Sequence, residues 1–236
     1  MNLAVWSGPR NLSTAMMYSF AQRPDTRVWD EPFYSAYLTR TGLDHPMRDE
    51  IMAAYEPDYD KVIAACVEPS SDVFYQKHMC QHFDVTDDMR WVLSLTNVLL
   101  IRHPQRVIAS YDAKRENPKA EELGFAMQAH LFDLLNDAGR PPIVIDAGDI
   151  RQDPAAMLQK LCGALGLPFD PKMLSWPKGG IPEDGVWAKH WYPAVHNSTG
   201  FAGAEGPMPQ LPSHLEEVMA VCLPDFEKLY AERLRP

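Results

Sequence analysis

The chain has 236 residues, of which 46% are hydrophobic, enough to build one sizeable core. Its formal net charge of −10 argues against a general affinity for nucleic acid or anionic membrane. It leaves room for one small polyanion, because a few local arginines and a helix N-terminus outweigh a distant field.

LAVW (3–6) reads as a strand, and STAMMYSFAQR (13–23) as a helix with Ser13 as a plausible cap. TRVWD (26–30) is a second short strand. Residues 34–70 are mostly helical in pattern, broken by Gly42, Pro46 and Pro57. DVFYQKHM (72–79) predicts a third strand and TNVLLIR (96–102) a fourth, whose continuous apolar run suits cover on both faces. HPQRVIASYDAKR (103–115) follows as a helix with Pro104 in its first turn. The stretch 121–139 is an amphipathic helix with a glycine C-cap. PPIVIDAGDI (141–150) is a fifth strand and 153–167 another helix. The stretch 176–212 has no clear period, and long loops in compact domains are usually functional. Residues 213–234 close the chain as helix.

Strands alternating with helices predict a three-layer α/β/α domain over 1–236, with a central, mainly parallel sheet and a lid or loop region at 176–212. Ligands of such sheets sit at the carboxyl ends of the strands. No apolar run reaches the roughly 18 residues of a membrane span. The start, MNLAVWSGPR, has no basic n-region or cleavage site, and Cys66, Cys80, Cys162 and Cys222 have no metal spacing. A cytoplasmic location is expected, with no membrane or nucleic-acid partner; the oligomeric state is not legible.

Ser7 to Thr14 form a strand–turn–helix junction, which aims free backbone N–H groups and the positive end of a helix dipole at one point. Arg10 adds a charge and a bidentate fork, and Ser13 and Thr14 add hydroxyl donors. A kinase loop, G-x-x-x-x-G-K-[ST], needs its lysine for the phosphates and its last hydroxyl for Mg²⁺. Counted from Gly8, those places hold Ser13, Thr14 and Ala15. Asp30 and Asp146 are the aspartates to check as Walker-B counterparts. The competing reading is an ordinary turn with a good N-cap.

In LLIRHPQRVIASY (99–111), Arg102 ends the buried strand, and Ser110 falls about two turns into the following helix. Taken alone, Arg102 pairing with a surface carboxylate and Ser110 facing solvent are the simpler readings. Together the two stretches resemble the PAPS-dependent sulfotransferases. PRNLST (Pro9 to Thr14) is similar to that family's P-K-S-G-T-T loop, with Arg10 in the lysine place and Leu12 where glycine often stands. RHPQRVIASY (Arg102 to Tyr111) fits its R-x-P-x-x-x-x-x-S-Y motif. A looser likeness covers 143–167, and the whole looks closest to the small bacterial sulfotransferase-like proteins. The resemblance implies a nucleotide-binding fold of the P-loop type. It implies that Arg10, Asn11, Leu12, Ser13 and Thr14 surround the 5′-phosphosulfate of 3′-phosphoadenosine 5′-phosphosulfate (PAPS), and that Arg102 and Ser110 bind its 3′-phosphate. It implies PAPS as co-substrate, no metal, and a small-molecule acceptor with a hydroxyl or amine.

Sulfuryl transfer needs a base for the acceptor's proton and cations for the leaving phosphate. In WDEPFY (29–34) the resemblance carries the base to Glu31, while Asp30 points to the other side if the strand continues. Glu31 capping a helix or pairing with an arginine is the alternative. Lys77 and His78 end the third strand, near where cytosolic sulfotransferases carry Lys-Thr-His. Being adjacent, they should face opposite sides. Lys77 is then electrostatic support, and His78 a second candidate base or a satisfied core histidine. In WAKHWYPAVHNSTGF (187–201), Lys189, His190, His196, Asn197, Ser198 and Thr199 are candidate cover for the nucleotide, with Ser198 and Thr199 as binding residues. Trp187, Trp191 and Tyr192 are placed to stack on adenine or acceptor, or simply to anchor the loop. Two other functions compete: a P-loop small-molecule kinase or NTPase, and a non-catalytic nucleotide-binding module.

Overall fold

The computed structural model describes residues 1–70, 72–113 and 117–236. Five strands form one parallel sheet in the order β2-β3-β1-β4-β5: β1 Asn2–Ser7, β2 Thr26–Asp30, β3 Val73–Met79, β4 Thr96–Ile101 and β5 Ile143–Asp146. The helices are α1 Ser13–Ala21, α2 Tyr34–Thr41, α3 Arg48–Ala54, α4 Tyr59–Val67, α5 Pro104–Asp112, α6 Ala120–Leu123, α7 Phe125–Asp137, α8 Ala147–Gln152, α9 Pro154–Ala164, α10 Ala188–Trp191, α11 Pro193–His196 and α12 Glu216–Ala231. The expected three-layer α/β/α architecture is found.

Period-2 alternation sorts the sheet's side chains into two cores. On one face Leu3, Val5, Val98 and Leu100 pack with Met16 and Phe20 of α1 and with Met157 and Leu161 of α9. On the other, Trp6, Leu99 and Ile101 pack with Val107 of α5, Leu131 of α7 and Phe226 of α12. A third cluster joins Tyr34 and Leu38 of α2, Ile51 of α3, Trp187 and Tyr192. The four cysteines are free and buried. Among the described residues, no helix is long and apolar enough to cross a membrane.

Several boundaries differ from those read in the sequence. Leu12, not Ser13, caps α1; it adopts a left-handed conformation and gives no side-chain cap. The single helix expected over 121–139 is two, because Gly124 at φ +76° turns the chain between α6 and α7. Its glycine terminus is found at Gly139, which has φ +67°. The fifth strand stops at Asp146, whose carboxylate accepts from the N–H groups of Gly148 and Asp149 and so starts α8. In 103–115, residues 114 and 115 lie outside the described residues. The loop 176–212 contains α10 and α11, and its Gly200 forms an antiparallel bridge with Ser175 just before it.

Gly8 meets the α6–α7 break at close range: a Cβ there would lie 2.1 Å from the Leu123 carbonyl oxygen. A backbone atom cannot move aside as a side-chain tip can. Gly8→Ala is expected to cost about 1–3 kcal/mol or more through overpacking, read as a lower urea midpoint. Gly163→Ala in α9, with open space around the added methyl, should gain up to about 1 kcal/mol from helix propensity. Equal effects at the two sites would refute the close-approach argument.

Candidate functional site

The strand order reverses direction at β1, which pairs with β3 on one side and β4 on the other. The crevice at the carboxyl ends of the strands beside such a switch point is where open parallel sheets bind ligands. A cavity of about 430 Å³ lies there, lined by residues that follow all five strands. Arg10 to Ala15 come after β1, Glu31 after β2, Gln81 and His82 after β3, Arg102 after β4 and Arg151 after β5.

The loop after β1 is held in an uncommon shape. Arg10 and Leu12 have φ of +63° and +73°, in the left-handed region that non-glycine residues seldom enter. Asn11, buried, ties the loop to β4 by donating to the Leu100 carbonyl at 3.3 Å. With no side chain capping α1, the N–H groups of its first turn are left for a ligand. Arg10 donates through Nε to Ser110 Oγ at 2.9 Å, and Arg102 donates to the Arg10 carbonyl at 2.6 Å. Burial first, and the Arg102 charge second, push the Arg10 guanidinium below its ordinary pKa. The corner therefore carries more positive charge than its surroundings neutralise, and an anion would relieve it.

The opposite end of the cavity is built on a buried ion cluster. Asp30 and Lys77 are register partners on β2 and β3. Lys77 Nζ donates to Asp30 Oδ1 at 2.9 Å, to Glu31 Oε1 at 2.5 Å and to Tyr192 Oη at 2.6 Å. Tyr192 Oη lies 2.9 Å from either Asp30 oxygen and 3.1 Å from Glu31 Oε1, and takes a hydrogen bond from Trp187 Nε1. Its single proton can serve only one of these acceptors at a time. Asp30 was expected to point away from Glu31 only if the strand continued, and it does not. The strand ends at Asp30, and Glu31 at φ +41° turns its carboxylate back to the same lysine. Burial, joined by the Asp30 charge, raises the Glu31 pKa even though Lys77 opposes it. Burial alone would lower Lys77, but the two carboxylates outweigh it and hold the ammonium charged.

Lys77 and His78 do face opposite sides. His78 stacks on Trp6 with ring centroids 4.3 Å apart and shares a 3.0 Å hydrogen bond with Gln76. It is not among the cavity-lining residues, and burial lowers its pKa to about 3. The structure thus puts it in the core and not beside Glu31. Glu31 instead has His82 nearby, 3.9 Å away, a residue the sequence reading passed over. His82 is stacked between Tyr34 and Tyr37, and burial keeps its ring neutral. Tyr34, which shares a 3.0 Å hydrogen bond with His45, Met79, Gln81 and Trp191 complete this largely aromatic end.

The loop 176–212 reaches the site at several points. Ser198 lines the cavity, but its hydroxyl already bonds Trp176 Nε1 and the Val195 carbonyl. Thr199 does not line it; its carbonyl receives the Trp176 N–H. Gly185 N donates to Asp30, and Asp184 accepts from Tyr18 of α1 at 2.5 Å and meets His196 at 3.0 Å. Further along, Glu205 places its carboxylate among Arg102, Arg106 and Arg151. Arg106, Arg151 and Glu205 were not picked out from the sequence. Arg151 had the signal that marked the others, a place just after a strand.

Neither aspartate considered as a Walker-B counterpart is available for that role. Asp30 is committed to Lys77 and Tyr192, and Asp146 caps α8.

The chain is 41% identical over 201 residues to branched-chain-amino-acid aminotransferase-like protein 1 of Arabidopsis thaliana, covering 84% of this chain and 36% of that one. It is 37% identical over 226 residues to protein 2 of the same name and organism, covering 95% and 40%. The chain therefore spans two fifths or less of the length of these relatives. Among solved structures, its fold is similar to a sulfotransferase from Alicyclobacillus acidocaldarius, with TM-score 0.57, 14% identity and 100% and 96% of the two chains covered. It is also similar to the sulfotransferase domains of the Synechococcus PCC 7002 olefin synthase (TM-score 0.54, 16% identity, 93% of each chain) and of the curacin biosynthetic pathway (0.54, 17%, 99% and 98%). A family model described as a sulfotransferase domain matches residues 1–233. With that match running through every strand and every wall of the cavity, the chain belongs to the sulfotransferase domain family.

Proposed function

We propose that the protein moves a sulfuryl group from PAPS to a hydroxyl or amine of a small-molecule acceptor, within one unit spanning residues 1–236. The observation that carries this reading is the pairing, in one cavity, of an anion-seeking corner at Arg10 and the α1 N-terminus with a buried carboxylate at Glu31. In this mechanism Glu31 takes the acceptor's proton. The acceptor's oxygen or nitrogen forms a bond to sulfur as the sulfur–oxygen bond to the 5′-phosphate breaks. The electron pair leaves with that phosphate, giving 3′-phosphoadenosine 5′-phosphate. Arg10, Ser13, Thr14 and the first-turn N–H groups of α1 take up the charge that grows there. Lys77 stabilises the transferring group and orients Glu31, and Arg102 with Ser110 hold the nucleotide beside Arg10. Arginine in the lysine place supplies a fork in place of a point charge, and its Nε bond to Ser110 fixes the direction of that fork.

The kinase reading finds less support, because the positions that would hold its lysine and metal hydroxyl carry Thr14 and Ala15. The non-catalytic reading gives no role to a carboxylate whose pKa burial has raised at the cavity wall. The test is calorimetric titration with 3′-phosphoadenosine 5′-phosphate in the presence of a chelator, followed by an acceptor screen with labelled PAPS. Binding should be tight in the wild type and about ten- to a hundredfold weaker in Arg102→Ala, as expected for losing charged hydrogen bonds. Absence of binding, or binding indifferent to that substitution, would sink the proposal.

A further inference from the structure

One carboxylate in this fold has more cationic partners than it needs. Glu205 Oε1 receives Arg102 Nε at 2.9 Å and Nη2 at 2.5 Å, together with Arg151 Nη1 at 3.0 Å. Its Oε2 lies 2.8 Å from Arg106 Nε. Three guanidiniums around one carboxylate leave a net charge of about +2 in a partly buried place, whereas a phosphate dianion would leave about +1. The fork geometry of arginine suits phosphate oxygens as well as it suits carboxylate.

The segment carrying Glu205 has little else to hold it. GAEGPMP (203–209) has no regular structure and is mostly exposed, apart from Glu205 and Pro209. Its other ties are backbone carbonyls. Gly203 accepts from Arg151, Gly206 and Pro207 accept from Arg106, and Pro209 accepts from Gln105. Two of the three arginines that grip Glu205 thus also grip the segment. Arg102 and Arg151 line the cavity, and Arg102 touches the Arg10 loop directly.

We propose that Glu205 is an exchangeable stand-in for the ribose-borne phosphate of the nucleotide: the dianion takes its place among Arg102, Arg106 and Arg151, and the 203–209 segment moves out. The identity of the nucleotide rests on the sulfotransferase reading above; the exchange rests on the cradle itself. Arg106 and Arg151 thereby become nucleotide-binding residues. Glu205 becomes a filter, because a nucleotide lacking that phosphate offers nothing to displace it. A tethered competitor weakens the apparent affinity of the ligand by the fraction of time the cradle is free.

The experiment compares wild type, Glu205→Gln and Glu205→Gln/Arg151→Met by calorimetry with three probes: 3′-phosphoadenosine 5′-phosphate, adenosine 5′-phosphate and inorganic phosphate. Glu205→Gln should bind the first about tenfold or more tightly than wild type, and the second within about twofold. It should also gain binding of inorganic phosphate, and Arg151→Met should remove that gain. Glu205→Asp, which keeps the charge on a shorter arm, should show a smaller gain in the same direction; it carries the test if the glutamine variant does not fold. A gain for neither the doubly phosphorylated nucleotide nor inorganic phosphate overturns the exchange, and so does binding of both nucleotides with an equal gain. If no protein binds either nucleotide while the phosphate gain persists, the donor assignment falls and the exchange stands.

Discussion

Replacing Glu31 by glutamine is expected to slow sulfuryl transfer by about 10²–10⁴-fold, the range for loss of a positioned general base, while binding of 3′-phosphoadenosine 5′-phosphate changes little. The amide keeps the shape of the side chain and can still accept from Lys77, but it cannot take a proton. Single-turnover kinetics with PAPS and calorimetry with the product nucleotide separate the two quantities. The pH profile supplies the second half of the test. Because burial raises the Glu31 pKa, the base is charged only above a value higher than an ordinary glutamate's, near 4.3. The acid limb of kcat/KM should therefore be displaced upward in wild type. In Glu31→Gln the residual rate should lose that limb. Full activity in the variant, or an acid limb at an ordinary carboxylate value, would remove Glu31 from the mechanism.

Lys77→Met should be the most damaging single change to stability. It leaves Asp30 and Glu31 side by side, both buried, with Tyr192 as their one remaining donor within the cluster of four. Removing one partner from a buried ion cluster costs about 3–5 kcal/mol. The pH dependence has a definite sign. Without the ammonium, the Glu31 pKa, which burial already raises in the folded state, rises further above that of a glutamate in the unfolded chain, near 4.3. Between the unfolded and folded values the folded state binds more protons, so its stability falls as pH rises. The variant should be weakest at neutral pH and above, and should recover toward wild type as the solution is acidified through the folded values. Asp30→Asn in the Lys77→Met background should restore part of the loss at neutral pH. Chemical denaturation at several pH values reads all three. A loss independent of pH would point to a cavity left by the missing ammonium, and not to uncompensated charge.

Much of this site was legible because its residues follow strands. Arg10, Glu31, Lys77 and Arg102 could each be placed at a carboxyl edge by counting from an apolar run, and the edges converge where the sheet reverses its order. Alternation alone told that Lys77 and His78 would part, and β3 separates them so. One strand earlier alternation does not reach Glu31, because β2 ends at Asp30 and the positive φ at Glu31 brings both carboxylates to Lys77. Nothing in the residue type announces that angle. The break at Gly124 was hidden for a related reason: helical periodicity runs on through it, and only the contact with the Gly8 turn explains it. Glu205 and the placing of Tyr192 were out of reach, because they depend on pairings with Arg102 and Asp30 across more than a hundred residues from a loop without periodicity. Such contacts are fixed by packing and not by local pattern.

The reach of Tyr192 also bears on when the site is functional. The hydroxyl that meets Lys77, Asp30 and Glu31 is delivered by the same loop whose Gly185 bonds Asp30 and whose Asp184 bonds Tyr18. Proteins open in cooperative units smaller than the whole fold, and this loop with α10 and α11 has the makings of one. Each opening would let water onto Glu31 and return its proton affinity toward that of a free carboxylate. The proton affinity of the carboxylate at position 31 is thus coupled to the docking of residues more than 150 positions later. Amide exchange at Gly185 and in α10 should report the same opening free energy as the solvent reactivity of the buried Glu31 carboxylate.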